Sequence, residues 1–155
     1  MDTLFVLSRT SLDTKNPETF DTAYTLLSQT LTLPGISGAL QYHASSNSEE
    51  VEVDPPALAN YIRCISGAFH NLSATLYQAN KWGAAARFLQ PACTLGEKAI
   101  VVHRQNNTSF EGTDQKQQAW TQLEEQVFRR WELLGVCHLK TGDRQVGATT
   151  CFLAI

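Results

Sequence analysis

The chain has 155 residues, 43% of them apolar and 17% charged, with a formal net charge of -3, which is the balance of one ordinary globular domain and excludes a disordered, highly charged tail. A pI near 5.8 and the lack of any Lys/Arg run longer than Arg129-Arg130 leave no electrostatic footprint for nucleic acid, so no nucleic-acid partner is expected. No apolar run approaches the roughly 20 residues that cross a bilayer, and Leu4-Phe5-Val6-Leu7 is too short for a signal-peptide core, so no membrane partner is expected and the expected location is cytoplasm and nucleus.

In chain order, residues 2–9 read as a short helix remnant. Asn16-Pro17-Glu18 supplies a cap and a first-turn proline for a helix over 17–33, whose Phe20, Tyr24, Leu27 and Leu31 share a face. Leu33-Pro34-Gly35 stops it, and 34–54 is a Gly/Ser/Asn-rich loop ending in the acidic run Glu49 to Asp54, with Ser45, Ser46 and Ser48 as candidate phosphorylation sites. Asp54 is placed to cap a helix over 55–80 carrying Leu58, Tyr61, Ile62, Ile65, Phe69, Leu72 and Leu76. The helix over 82–103 has Ala84, Ala85, Phe88, Leu89, Cys93, Leu95, Ala99, Ile100 and Val102, apolar on more than one side, and so calls for neighbours on both flanks. Pro91 within it removes a backbone hydrogen bond, and a kink is expected there. After a polar loop at 104–114, a long amphipathic helix over 115–141 carries Trp120, Leu123, Val127, Trp131, Leu134 and His138 on one stripe. Glu124, Glu125, Glu132, Arg129 and Arg130 are read as its solvated face, with a partner-binding stripe as the alternative and Glu125 and Arg129 as an i,i+4 pair. Gly142-Asp143 turns the chain into a last helix, 144–155, that ends inside its own apolar pattern. The expected fold is all-α, a single region over 1–155 of irregular antiparallel helix-turn-helix repeats.

The stretch from Phe69 to Ala92 carries the tetratricopeptide arrangement: Phe69, Leu72, Ser73 and Leu76 on one helix, Asn80 and Trp82 at the turn, then Ala85, Leu89 and Ala92 on the second. Small residues let the two backbones approach and large ones fill the gap. The pattern restarts at Trp131, Leu134 and Gly135, the W-x2-L-G spacing. Copies that begin at Phe69 and Trp131 lie much further apart than the roughly 34 residues of a regular array, so the repeat is irregular.

Nothing in the chain matches a catalytic, cofactor-binding or metal-ligating motif. Cys64, Cys93, Cys137 and Cys151 are widely spaced and read as small buried apolar residues in a reducing compartment. His70, His103 and His138 raise the question of a Cys-His dyad. Cys137 and His138, however, are neighbours on one helix and point about 100° apart. The tryptophans Trp82, Trp120 and Trp131, with Phe69 and Phe88, read as core. Asn71 and Asn107 stand in glycosylation sequons, discounted because no secretion signal accompanies them and Asn71 lies within a helix. For a protein partner lying along the repeat surface, Trp82, Arg87 and Arg129 are the exposed candidates.

Ala59-Asn-Tyr-Ile-Arg-Cys-Ile-Ser-Gly-Ala-Phe-His-Asn-Leu72, Leu76-Tyr-Gln-Ala79, Arg130-Trp-Glu-Leu-Leu-Gly-Val-Cys137 and the opening Asp2 to Thr10 resemble the helical-repeat region of fungal separase, over about residues 2 to 145. Separases are very large cysteine endopeptidases that cleave a cohesin subunit at anaphase. Their helical region binds the inhibitor securin and supports a C-terminal protease domain. The resemblance implies a non-catalytic scaffold whose partner is a securin-like protein or that protease domain. The family's catalytic His and Cys belong to a domain whose motifs have no match in this chain. Met1 falls where the family pattern is already under way, and the segment after Gln145, with Gly147, Thr149 and Thr150 as weak helix formers, departs from it, so a fragment of a longer chain is expected. An independent tetratricopeptide-like adaptor is the alternative.

Overall fold

A computed structural model describes residues 2–33, 36–37, 55–106 and 114–153. Among these residues the structure is all-α, without strands, and six helices follow in order: α1 (Asp2–Ser11), α2 (Glu18–Thr30), α3 (Pro55–Gln78), α4 (Trp82–Asn106), α5 (Asp114–Lys140) and α6 (Arg144–Leu153). They pack as three helical hairpins, α1/α2, α3/α4 and α5/α6, with α3/α4 in the centre, α2 against one side and α5 against the other. The expected irregular helix-turn-helix repeat is therefore the observed architecture.

Local chemistry sets each boundary. Asn16 Oδ1 accepts a hydrogen bond from the Glu18 backbone N–H at 3.1 Å, and Pro17 already has helical dihedrals, so Asn16 caps α2 with proline in the first position. The far end of α2 falls short of residue 33. Leu31 and Thr32 donate to carbonyls three residues back, at 3.1 Å each, and this tighter winding ends the α-helix at Thr30. Helix α1 extends to Ser11, beyond the remnant expected, and α4 continues through 104–106, which were assigned to a loop. It runs unbroken across Pro91.

The α3/α4 and α5/α6 hairpins close in the same way. Lys81 N–H donates to Leu76 O at 2.9 Å and Asn80 N–H to Tyr77 O at 3.0 Å, while Asp143 N–H donates to His138 O at 2.9 Å and Gly142 N–H to Leu139 O at 3.2 Å. Asn80 has φ 61 and Gly142 has φ 87. Each is a Schellman cap with its left-handed residue at the position that favours Gly or Asn. Asp143 Oδ1 then accepts from Val146 N–H and starts α6. The two turns sit side by side, since a Cβ placed on Gly83 would lie 3.8 Å from Thr141 Cγ2.

The core runs along α3 and α4. Ala85, Ala92 and Ala99 are fully buried at seven-residue intervals on α4 and let α3 approach. Ile62, Ile65, Phe69 and Leu76 from α3 and Phe88 and Leu89 from α4 fill the space between. Each such side chain contributes roughly 1.5 to 3 kcal/mol by leaving water. Tyr61, assigned to this apolar face, is instead 48% exposed near the start of α3. Gly147 also departs from expectation. It is buried in α6, where a Cβ would lie 2.8 Å from Leu139 Cγ, so its smallness serves the close approach of α6 to α5.

Candidate functional site

On α5, among the described residues, the buried side chains beyond glycine are Leu123, Val127, Arg130, Leu134 and Cys137, spaced alternately by three and four. This stripe is rotated from the one read through Trp131 and His138, which lie half-buried at its border. The rotation corrects the reading of Arg130 as part of a solvated face. Arg130 is 5% exposed, because it occupies the inward position between Val127 and Leu134.

Inside, Arg130 Nη1 donates to Ser66 Oγ at 2.7 Å, and Ser66 Oγ donates to the Ala92 carbonyl at 2.7 Å. One side chain from α5 is thereby tied through α3 to the backbone of α4. Arg130 Nη2 reaches Gln126 Oε1 at 3.4 Å, a weak contact. Gly96 makes the approach possible: a Cβ there would stand 2.5 Å from Val127 Cγ2 and 3.2 Å from Ser66 Oγ. His70, one helical turn beyond Ser66, shares that face of α3, and its Nδ1 is buried without a partner, as is Arg130 Nε. Burial, and secondarily the Arg130 charge, lowers the His70 pKa. Burial also lowers that of Arg130, against a small opposing effect of Cys93, yet a guanidinium stays charged in a protein.

The thiols do not meet the needs of a nucleophile. Burial pushes Cys93 up to about 12, with Arg130 opposing and Glu97 adding to the rise. Burial likewise pushes Cys137 up to about 11 against the pull of Lys140. Both are neutral thiols at pH 7, whereas nucleophilic cysteines have depressed values. Cys64 is exposed rather than buried, which corrects its assignment as a core residue. Among the described residues no group of His, Cys, Asp and Glu is arranged to hold a metal ion, and no helix is long and apolar enough to cross a membrane.

The tryptophans are engaged internally. Trp82 meets Tyr77 edge-on at 4.8 Å, with Lys140 Nζ 4.2 Å from its ring centre. Trp120 stacks on His103 at 3.9 Å with 12° between the planes, and Arg63 lies 5.9 Å from the Trp120 ring. Trp131 Nε1 donates to Glu97 Oε1 at 2.7 Å. Of the three surface candidates, Trp82 and Arg87 are thus committed to contacts within the chain, Arg87 pairing with Asp21 and lying 4.4 Å over the Tyr24 ring. Arg129 is exposed. Among the described residues no ion pair joins it to Glu125. Glu124 instead reaches across to Arg104 on α4 at 2.8 Å. The acidic run 49–54, Ser45, Ser46, Ser48 and the sequon at Asn107 lie outside the described residues.

The polar cluster was missed in the sequence because its members are scattered over three helices. Its one legible signal is the spacing that sets Arg130 among Val127, Leu134 and Cys137. No protein-family model matches the chain, no curated protein matches it, and no solved structure matches it.

Proposed function

We propose that the chain is a non-catalytic helical-repeat scaffold, similar to part of separase, that binds a securin-like protein or supports a protease domain. The observation that carries this reading is the repetition of one capped turn at Asn80 and at Gly142 in adjacent, stacked hairpins. Stacked hairpins of this kind build an extended surface suited to a peptide-like partner. Two further features favour binding over catalysis: the polar groups converge inside the core, and the buried thiols are held neutral.

Titration calorimetry of the chain with a securin polypeptide, and separately with a separase protease domain, tests the proposal. Saturable binding of either one, weakened by Arg129→Glu, is the expected result. Binding of neither removes the separase reading and leaves the independent adaptor. Hydrolysis of a cohesin-derived peptide that disappears in Cys93→Ser would overturn the scaffold reading itself.

A further inference from the structure

Among the described residues, the hydrogen-bond partners of the buried Arg130 guanidinium are neutral. Ser66 Oγ and Gln126 Oε1 accept its hydrogen bonds, and the Cys93 thiol is the titratable group that bears on it from α4. The Glu97 carboxylate acts on Cys93 and is held by the Trp131 indole. A cation without a buried counter-charge sets a strict condition on its neighbours. His70 meets that condition only while neutral. With its proton on Nε2, the buried Nδ1 keeps a lone pair without a partner, whereas a second proton there would be a buried donor with no acceptor, one helical turn from the serine that holds the Arg130 cation.

We propose that Ser66, His70 and Arg130 form an acid-sensitive latch, through which protonation of His70 loosens α5 and α6 from the central hairpin while α3 and α4 stay paired. The asymmetry follows from the placement of the groups. His70 and Ser66 ride on α3, and the charge they face rides on α5. Like-charge repulsion therefore acts across one interface, whereas the α3/α4 contact is mostly apolar and its Ser66–Ala92 hydrogen bond involves no charge.

The direction with pH is fixed by linkage. Burial, and secondarily the Arg130 charge, holds the folded-state pKa of His70 below the ordinary 6.5 of histidine, so the unfolded or opened form binds the proton more tightly. The interface is fully stable above pH 6.5 and weakens as pH falls from there toward the lowered folded value. His103 shifts in the same direction through burial, opposed by Glu124, and serves as the control because it stacks on Trp120, away from Arg130.

The test is hydrogen exchange at about pH 7.5 and about pH 5.5, read as protection factors, together with the NMR titration of His70 in the unaltered chain. On acidification, amides of α5 around Val127 to Leu134 are expected to lose protection, while α3 and α4 around Ile65 and Leu89 keep theirs. His70→Gln is expected to abolish most of that loss, and His103→Gln to leave it. Equal loss in His70→Gln and the unaltered chain, uniform loss across all helices, or no loss would each overturn the latch. If His70→Gln does not fold, the titration decides: a midpoint below 6.5 supports the latch and one at or above it refutes it.

Discussion

The central hairpin is gripped on its two sides by different chemistry. On the α2 side, Tyr24 inserts between Phe69 and Phe88, with ring centroids at 5.6 and 5.3 Å and interplanar angles of 64° and 90°. Phe20, Ala23 and Leu27 are buried beside it, and the charged pair Arg87 and Asp21 stays at the rim. On the α5 side, Arg130 is placed inside and hydrogen-bonded through Ser66 to the α4 backbone. Edge-to-face rings adhere through area and tolerate small slides. A chain of two short hydrogen bonds forms at only one relative position of three helices. Adhesion and register are thus divided between the two flanks.

The largest expected effect lies on the aromatic flank. Phe88 is fully buried and touches both Tyr24 and Phe69, so Phe88→Ala removes the shared partner of two rings. A loss of about 3 to 5 kcal/mol is expected, a large part of the roughly 5 to 15 kcal/mol typical of a whole domain. Urea unfolding measures it. A loss below about 1 kcal/mol would mean that α2 is not anchored through this ring.

The polar flank is probed more gently by a matched pair of glycines. Ala is the better helix former by about 1 kcal/mol, so an unobstructed Gly→Ala change within a helix stabilises. Gly67 on α3 has nothing within 4 Å of an added Cβ, whereas at Gly96 on α4 the methyl would lie 2.5 Å from Val127 Cγ2. Val127 is a short, buried, β-branched residue with little room to turn. Gly67→Ala should therefore gain up to about 1 kcal/mol, and Gly96→Ala should lose about 1 to 2 kcal/mol net through overpacking. Opposite signs in thermal melts support close packing at the α4/α5 contact, and equal gains would refute it.

What the sequence disclosed follows from how local the cause is. The turn at Asn80 and the cap at Asn16 depend on residues within one helical turn, and both are legible. The apolar face of α2 through Phe20, Tyr24, Leu27 and Leu31 is read directly from spacing, and the neighbours on both flanks of α4, α3 and α5, follow from its apolarity on several sides. Arg130 was misread because residue type and position disagree: arginine beside Arg129 suggests a solvated pair, while the spacing from Val127 and to Leu134 faces it inward. Ser66 gave no signal, and His70 stood out only as a candidate for a Cys-His dyad. Their role exists only because α5 brings a guanidinium to α3, 64 residues from Ser66 in sequence, a distance over which periodicity carries no information.

The smallest expected change is the most informative about the polar flank. Arg130→Met keeps much of the side-chain volume, removes a buried charge that lacks a carboxylate partner, and leaves Ser66 Oγ bonded to Ala92 O. Replacing buried charge by a well-packed apolar residue is often neutral or stabilising, so at about pH 7.5 the variant should unfold within about 1 kcal/mol of the unaltered chain. Ser66→Ala differs in kind: it leaves Arg130 Nη1 buried without its acceptor, and a loss of about 1 to 2 kcal/mol is expected. In the double variant that loss should largely vanish, because the group left stranded by the alanine is no longer present. Additive losses would mean that Ser66 acts on the α4 backbone alone and that Arg130 contributes as packing. Non-additive losses, with Arg130→Met near zero, would mean that the cluster fixes how the helices mate while adding little to how tightly they hold.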